Sequence, residues 1–292
     1  MTTTALKHVE SIDRTAQAHW VGDGFPVKSL FSYHEDAAAN DPFLLLDYAE
    51  PYEFQPANTP RGVGAHPHRG FETVTVVLQG EVEHRDSAGN HGVVGPGDVQ
   101  WMTAASGVIH EEFHSHEFTR RGGTFEVLQL WVNLPAVNKR EQPAYQDLRA
   151  AAIPTVSLEN GGTARVIAGE LFGATGPART HTPMTIADLN LAAGTTTSLN
   201  LPEGQTTLLV VRSGQLMVNG GQSARGVSLV RLSRDGDAVE LAAAEQSAVL
   251  LLTGAPIGEP IVGSGPFVMN TESEIRESYR EFQSGRMGRL PA

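Results

Sequence analysis

Short strand-like segments separated by glycine turns recur along this chain, and that rhythm constrains the fold more than any other feature. Alternating apolar and polar runs occupy residues 73–78, 81–84, 98–102 and 125–133. A similar series returns at 206–212, 215–218, 238–241 and 248–253. Runs this short, bounded by Gly and Pro, are the signature of strands in a sandwich or barrel. The 31 Gly and 17 Pro among 292 residues supply the turns such a fold needs, so an all-β protein is expected.

The two series also resemble each other. TVVLQGEVEH, with Gly80, and LLVVRSGQLMV, with Gly214, both read as strand, glycine turn, strand. GDVQ (Gly97, Asp98) and GDAVEL (Gly236, Asp237) follow in the same order, giving offsets of 134 and 139 residues. Two like domains set head to tail would produce that spacing, and the length suffices for two separate cores. Between the series, NLPAVNKREQPAYQDLRAAAIP is polar, carries Pro135, Pro143 and Pro154, and lacks period-2 alternation. The boundary is therefore expected near residue 140, with one domain over 1–140 and a second over 141–292. Near the end, Thr271 and Glu274 make a capping box, and Ile275, Tyr279 and Phe282 fall at i, i+4 and i+7, so an amphipathic helix is expected to close the second domain.

Composition narrows the chemistry. With no cysteine there is no disulfide, thiolate nucleophile or iron–sulfur cluster, and any metal must be held by His and carboxylate. A formal net charge of −12 opposes direct binding of nucleic acid or an anionic membrane surface. No run approaches the roughly 18 apolar residues of a membrane span, and MTTTALKHVESIDR lacks the apolar core of a signal peptide, which makes the cytoplasm the expected location.

Two clusters carry the candidate chemistry. In extended chain, residues i and i+2 share a face, so His66 and His68 of His66-Pro67-His68 can reach one ion. His110-Glu111-Glu112 repeats the geometry, with His110 and Glu112 on one face and Glu111 on the other. Imidazole and carboxylate without sulfur suit iron, manganese, nickel, copper or zinc, and three His with one Glu leave a position open for water or substrate. Glu72 competes with Glu112 as fourth ligand, because His66, His68 and Glu72 share parity; Glu112 ranks first and Glu72 second. An isolated HPH is most often a solvated turn, but two parity-matched pairs separated by strands and a PGD turn (Pro96, Gly97, Asp98) favour a site. The remaining histidines, His84, His91, His114, His116 and His181, are expected to face solvent, and His8, His19 and His34 show no partner pattern. Trp101, Met102 and Phe71, near the ligands in sequence, suit either an aromatic pocket or plain barrel core.

HPHRGFETVT (66–75), PGDVQWMTAASGVIHEE (96–112), LQLWVNLP (128–135), GPFVMNT (265–271) and DPFLLLDY (41–48) together resemble the pirin family, a branch of the cupin superfamily. The resemblance runs over most of the chain. It implies two stacked cupin, jelly-roll-like β-barrels, with one mononuclear divalent metal, usually iron, in the first. The family's motif histidines fall on His66 and His68 and its H-x-E on His110 and Glu112, which decides between Glu112 and Glu72. In the second repeat, NLPEGQTTLL (200–209) offers no histidine and no H-x-E follows GDAVEL, so that barrel is expected to be metal-free.

Bacterial relatives in this family resemble quercetin 2,3-dioxygenases. That resemblance implies a small aromatic, flavonol-like substrate and O₂, with Glu112 as general base toward the substrate hydroxyl and carbon monoxide leaving as the central ring opens. Family members also act as regulatory partners of transcription factors or metabolic enzymes, a reading in which a protein is the partner and the metal a structural or redox-sensing element.

Overall fold

A computed structural model of the chain describes residues 5–14 and 17–290. All eight expected strand segments form. They lie within or beside Phe71–Gln79, Val82–Asp86, Val99–Thr103 and Gly123–Asn133 in the first series, and Thr206–Ser213, Gln215–Val218, Ala238–Ala243 and Ser247–Gly254 in the second. Among the described residues no helix is long and apolar enough to cross a membrane.

The chain folds into two compact units. One comprises residues 17–38, 43–150 and 257–290; the other comprises 5–14, 39–42 and 151–256. Each is built from a seven-stranded and a four-stranded antiparallel sheet. In the first barrel the four-stranded sheet runs Gly62–His68, Val108–His114, Val82–Asp86, His91–Val94; in the second it runs Thr195–Asn200, Ala238–Ala243, Gln215–Val218, Gln222–Arg225. The repeat seen in the sequence is thus a repeat of topology. Its first anchor holds, since Gly80 and Gly214 both sit at φ 83°, a left-handed turn open to glycine without strain.

The second anchor shifts by one strand. Gly236 precedes Ala238–Ala243, which occupies the place of Val108–His114, so its counterpart is Gly107; Gly97 corresponds to Gly226, ahead of Ser228–Leu232. Gly-Asp is common enough in turns that the dipeptide alone does not fix register.

The boundary expected near residue 140 also moves, because strands and tails go where an open sheet edge accepts them. Ala144–Leu148, inside the stretch read as a linker, pairs with Val99–Thr103 and completes the seven-stranded sheet of the first barrel. Val9–Asp13 pairs with Ser228–Leu232 in the second. The final segment returns to the first barrel: helix Glu272–Gln283 belongs to that unit and not to the second. Thr271 caps this helix as expected, its Oγ1 accepting the Glu274 amide at 3.3 Å. Ile275 is buried beside Phe267, Met269 and Met287, whereas Tyr279 and Phe282 remain partly exposed and lean edge-on against Phe267.

Both interiors contain side chains from both of their sheets, but they are filled differently. The second barrel encloses a continuous aliphatic cluster that includes Leu199, Leu209, Val218, Val239, Leu241 and Leu251. The apolar core of the first, around Phe25, Phe54, Val77, Val82, Phe118 and Phe125, fills only part of its interior and leaves room for polar groups.

Lys139 fastens the returning segment. Its buried Nζ donates to the Gly70 carbonyl and Asn133 Oδ1, each at 2.6 Å, and to the Val268 carbonyl at 3.0 Å. Lys139→Met strands these acceptors and is expected to lower unfolding free energy by about 3 kcal/mol in urea titration. Arg140→Met, which removes only exposed ion pairs to Glu274 and Glu277, is expected to cost under about 1 kcal/mol.

Candidate metal centre

The site grows from one strand pairing. Gly62–His68 runs antiparallel to Val108–His114 with His66 directly opposite His110. Paired residues on one face of a sheet bring their side chains together, and His68, two residues on, joins them. The ring centroids are 4.2 Å apart for His66–His110 and 4.8 Å for both His66–His68 and His68–His110. One ligand atom from each of the three lies within 4.8 Å of the others. His66 stands half-buried at the rim; His68 and His110 are buried.

Glu112 follows a register shift, pairing with Val63 instead of the residue that strict alternation from His66 requires. Such a bulge re-aims the side chain beside it. Glu112 is buried, its Oε1 accepting from Gln100 Nε2 at 3.1 Å, while Thr75 Oγ1, 3.4 Å away, gives its one hydrogen to Gln129 Oε1 at 2.6 Å. Glu111 points to the other face and pairs with Arg85. Glu72 lies in the other sheet, three residues from Thr75 and so on the opposite face of that strand, and accepts from Thr103 Oγ1 at 2.7 Å. The parity linking it to His66 and His68 is broken at Arg69-Gly70, where the chain passes from one sheet to the other.

Burial holds the His68 and His110 imidazoles well below their ordinary pKa, with the neighbouring imidazoles adding to the effect; at His68 a backbone hydrogen bond to Pro266 partly opposes it. Both rings are therefore neutral at pH 7, the form that binds metal. His68 Nδ1 and His110 Nε2 are buried without a hydrogen-bond partner. His66 donates from Nδ1 to the Gly64 carbonyl at 2.8 Å, which leaves Nε2 as its lone pair. Buried polar atoms are ordinarily paired, so unpaired imidazole nitrogens in a ring of three fit a cation better than they fit packing.

A cavity of about 310 Å³ opens onto His66, His68 and Glu112. Its apolar wall is Val21, Phe25, Val27, Val63 and Trp131, and its polar wall is Asp47 and Gln129. Trp131 is fixed by stacking on Phe71, with centroids 4.2 Å apart. Phe71 thus supports the pocket from behind, and Trp101 and Met102 are fully buried core. Asp47 accepts from Ser29 Oγ at 2.5 Å; burial pushes its carboxyl pKa up against that hydrogen bond. The volume stands at the small end of the roughly 300–1,000 Å³ usual for ligand sites.

Two histidines expected in solvent are buried. His114 sits among Phe25, Phe54, Phe118 and Phe125 and meets the Gly24 carbonyl through Nε2 at 2.9 Å, a satisfied core position. His84 lies directly across from Glu112 in the sheet, with its ring centroid 5.3 Å from that of His110 and its Nε2 3.2 Å from Asp86 Oδ2. The signal for it was present: His84-Arg85-Asp86 is a third pair at i, i+2 with the spacing of the other two. His91, His116 and His181 are exposed as expected.

The corresponding strands of the second barrel point Leu199, Val239 and Leu241 into an aliphatic interior. Among the described residues, both clusters able to hold a metal lie in the first barrel. The second barrel does carry a wider cleft, about 920 Å³, between 169–173 and 198–205, lined by apolar, amide, hydroxyl and carboxylate side chains without imidazole.

Residues 24–132 match the family model for pirin and residues 186–288 that for the pirin C-terminal cupin domain. A Pseudomonas aeruginosa protein named "putative quercetin 2,3-dioxygenase" is 52% identical over 282 residues, which span 96% of this chain and 98% of that one. Pirin of Rattus norvegicus is 38% identical over 253 residues, 85% of this chain and 83% of its own. Among solved structures, quercetin 2,3-dioxygenase from Acinetobacter baumannii superposes with a TM-score of 0.95 at 50% identity, covering 97% of this chain and 99% of that one.

Because His114 is a core residue, His114→Leu is expected to cost about 1–3 kcal/mol in urea unfolding, through the stranded Gly24 carbonyl, while metal uptake is retained.

Proposed function

The chain belongs to the pirin family, and on that premise we propose that its first barrel binds one divalent transition metal, iron in the working protein, through His66, His68, His110 and Glu112. With that metal it acts as a dioxygenase of the quercetin 2,3-dioxygenase type, opening a flavonol or related enol or phenol ring with O₂. The observation that carries this reading is the triangle of imidazoles, in which buried His68 and His110 keep nitrogens without a partner, at the head of an apolar cavity with an aromatic wall. The bound ion supplies Lewis acidity that lowers a hydroxyl pKa and, as reduced iron, reactivity toward O₂. The same donor set suits manganese, nickel, copper or zinc.

The chain's own residues do the rest. Trp131 and Phe25 offer flat apolar surface for a planar ring and exclude water from it. Asp47 and Gln129 face the same space with polar groups that orient substrate hydroxyls. Gln100 donates to Oε1 of Glu112, so Oε2 is the oxygen that would serve as ligand and, where it loosens, take the proton of the substrate hydroxyl. Both oxygen atoms of O₂ enter the ring-opened product and carbon monoxide leaves.

The test is anaerobic purification, reconstitution with Fe(II) and the other four metals in turn, and measurement of flavonol absorbance together with O₂ uptake. One O₂ is expected per flavonol consumed. Lack of turnover with every metal sinks the dioxygenase reading. Glu112→Ala is expected to abolish turnover and weaken metal binding by more than the about 10–100-fold typical of residues that only support ligands. Glu111→Ala should do neither, and metal loss on Glu72→Ala alone would overturn the ligand set. Trp131→Ala is expected to raise KM about tenfold with metal content intact, measured by steady-state kinetics.

A further inference from the structure

We propose that His84 and Asp86 are a positioning pair that sets the tautomer of His110, so that His110 offers Nε2 to the metal. The inference rests on the ligand reading above and concerns two residues that do not touch the ion. Strand register puts them there: Asp86 is opposite His110 and His84 is opposite Glu112.

The direction of each hydrogen bond is set by what its neighbour can do. Asp86 is buried and takes four donors. Its Oδ1 accepts from the Ala88 and Asn90 amides, both at 2.9 Å, and its Oδ2 from Asn90 Nδ2 at 2.8 Å and His84 Nε2 at 3.2 Å. Burial raises the Asp86 pKa, but the bonds from His84 and Asn90 outweigh it and hold the carboxyl below its usual range. An ionised carboxylate only accepts, so the hydrogen between the two is on His84 Nε2.

His84 Nδ1 is then the acceptor, and two donors converge on it, Gln100 Nε2 and His110 Nδ1, each at 3.4 Å. Both distances are at the long end of the range, as expected where two donors share one lone pair. Gln100 cannot reverse its amide. Its Oε1 accepts from Tyr145 at 3.2 Å, and its Nε2 donates to the Glu112 carboxylate, which a flipped amide would meet oxygen to oxygen. With a hydrogen on Nδ1, the neutral His110 ring has its lone pair on Nε2, the buried nitrogen found without a partner.

His84, His110 and Glu112 also lie close enough together to suggest a second cation position. The amide hydrogens of Gln100 point into that space and repel a cation, so hydrogen bonds join these groups. His66 reaches the same polarity by a simpler route, through the Gly64 carbonyl. Partners of this kind fix ring orientation and ligand basicity, and their loss typically costs about 10–100-fold in metal affinity.

Three variants test the pair. Asp86→Asn keeps an oxygen for the turn amides but presents N–H to His84, inverting the chain of donors. His84→Leu removes the acceptor, and His84→Asn restores a carbonyl oxygen near the Nδ1 position. Fe(II) affinity, measured anaerobically against a chromophoric chelator, is expected to fall about 10–100-fold in Asp86→Asn and His84→Leu and to recover most of the way in His84→Asn. Nitrogen-15 NMR of the metal-free protein is expected to find the His110 hydrogen on Nδ1 in the wild type and on Nε2 in Asp86→Asn, a change that loss of packing alone would not produce. A wild-type His110 protonated on Nε2, or wild-type Fe(II) affinity in both Asp86→Asn and His84→Leu, overturns the proposal. Failure of the wild-type chain to bind Fe(II) defeats the ligand reading itself, and the two failures are told apart because the tautomer is read without metal.

Discussion

The antiparallel pairing of Gly62–His68 with Val108–His114 is the constraint on which the first barrel is organised. It sets His66 against His110, brings His68 beside them, and through one register shift places Glu112 near His110 on the wall of the cavity that His66 and His68 also line. Imidazoles this close repel one another when charged, and burial keeps His68 and His110 neutral. Their unpaired nitrogens are an unmet cost of folding that a cation would relieve.

The facing sheet is shaped to the same end. Ser29, Asp47, Gln129, Thr75 and Gln100 stand in one cross-strand row, each the register partner of the next. Buried polar groups are costly unless paired, and this row is joined by side-chain hydrogen bonds from Ser29 to Asp47, from Thr75 to Gln129, and from Gln100 to Glu112. The second barrel has the same strand order and fills its interior with leucine, valine and alanine. One topology thus supports two interiors, one packed for stability and one hydrogen-bonded around a chamber.

Much of this was legible beforehand where the determinant is local. Strand cadence, the topological repeat, the helix cap at Thr271 and the shared face of each H-x-[HE] pair all depend on residues within a few positions of one another. Reading failed where burial decides. His84, flanking a hairpin-like turn, and His114, in a polar stretch, look like surface histidines, yet one is enclosed by Glu112, His110 and Tyr145 and the other by four phenylalanines. Trp131, not Trp101, faces the cavity, because only the pairing of distant strands sets which aromatic looks inward.

The sequence alone determined that this is an all-β protein of two related halves, with His66, His68, His110 and Glu112 as two pairs each able to share a face, since alternation in a strand is a local rule. Tertiary structure decided which acids oppose which histidines. It set Glu72 on the far face of another sheet, carried His84-x-Asp86 in behind His110, and returned helix Glu272–Gln283 to the first barrel. The physical reason is that parity ends at every turn, and the residues beyond a turn take their facing from whichever sheet edge the next strand joins.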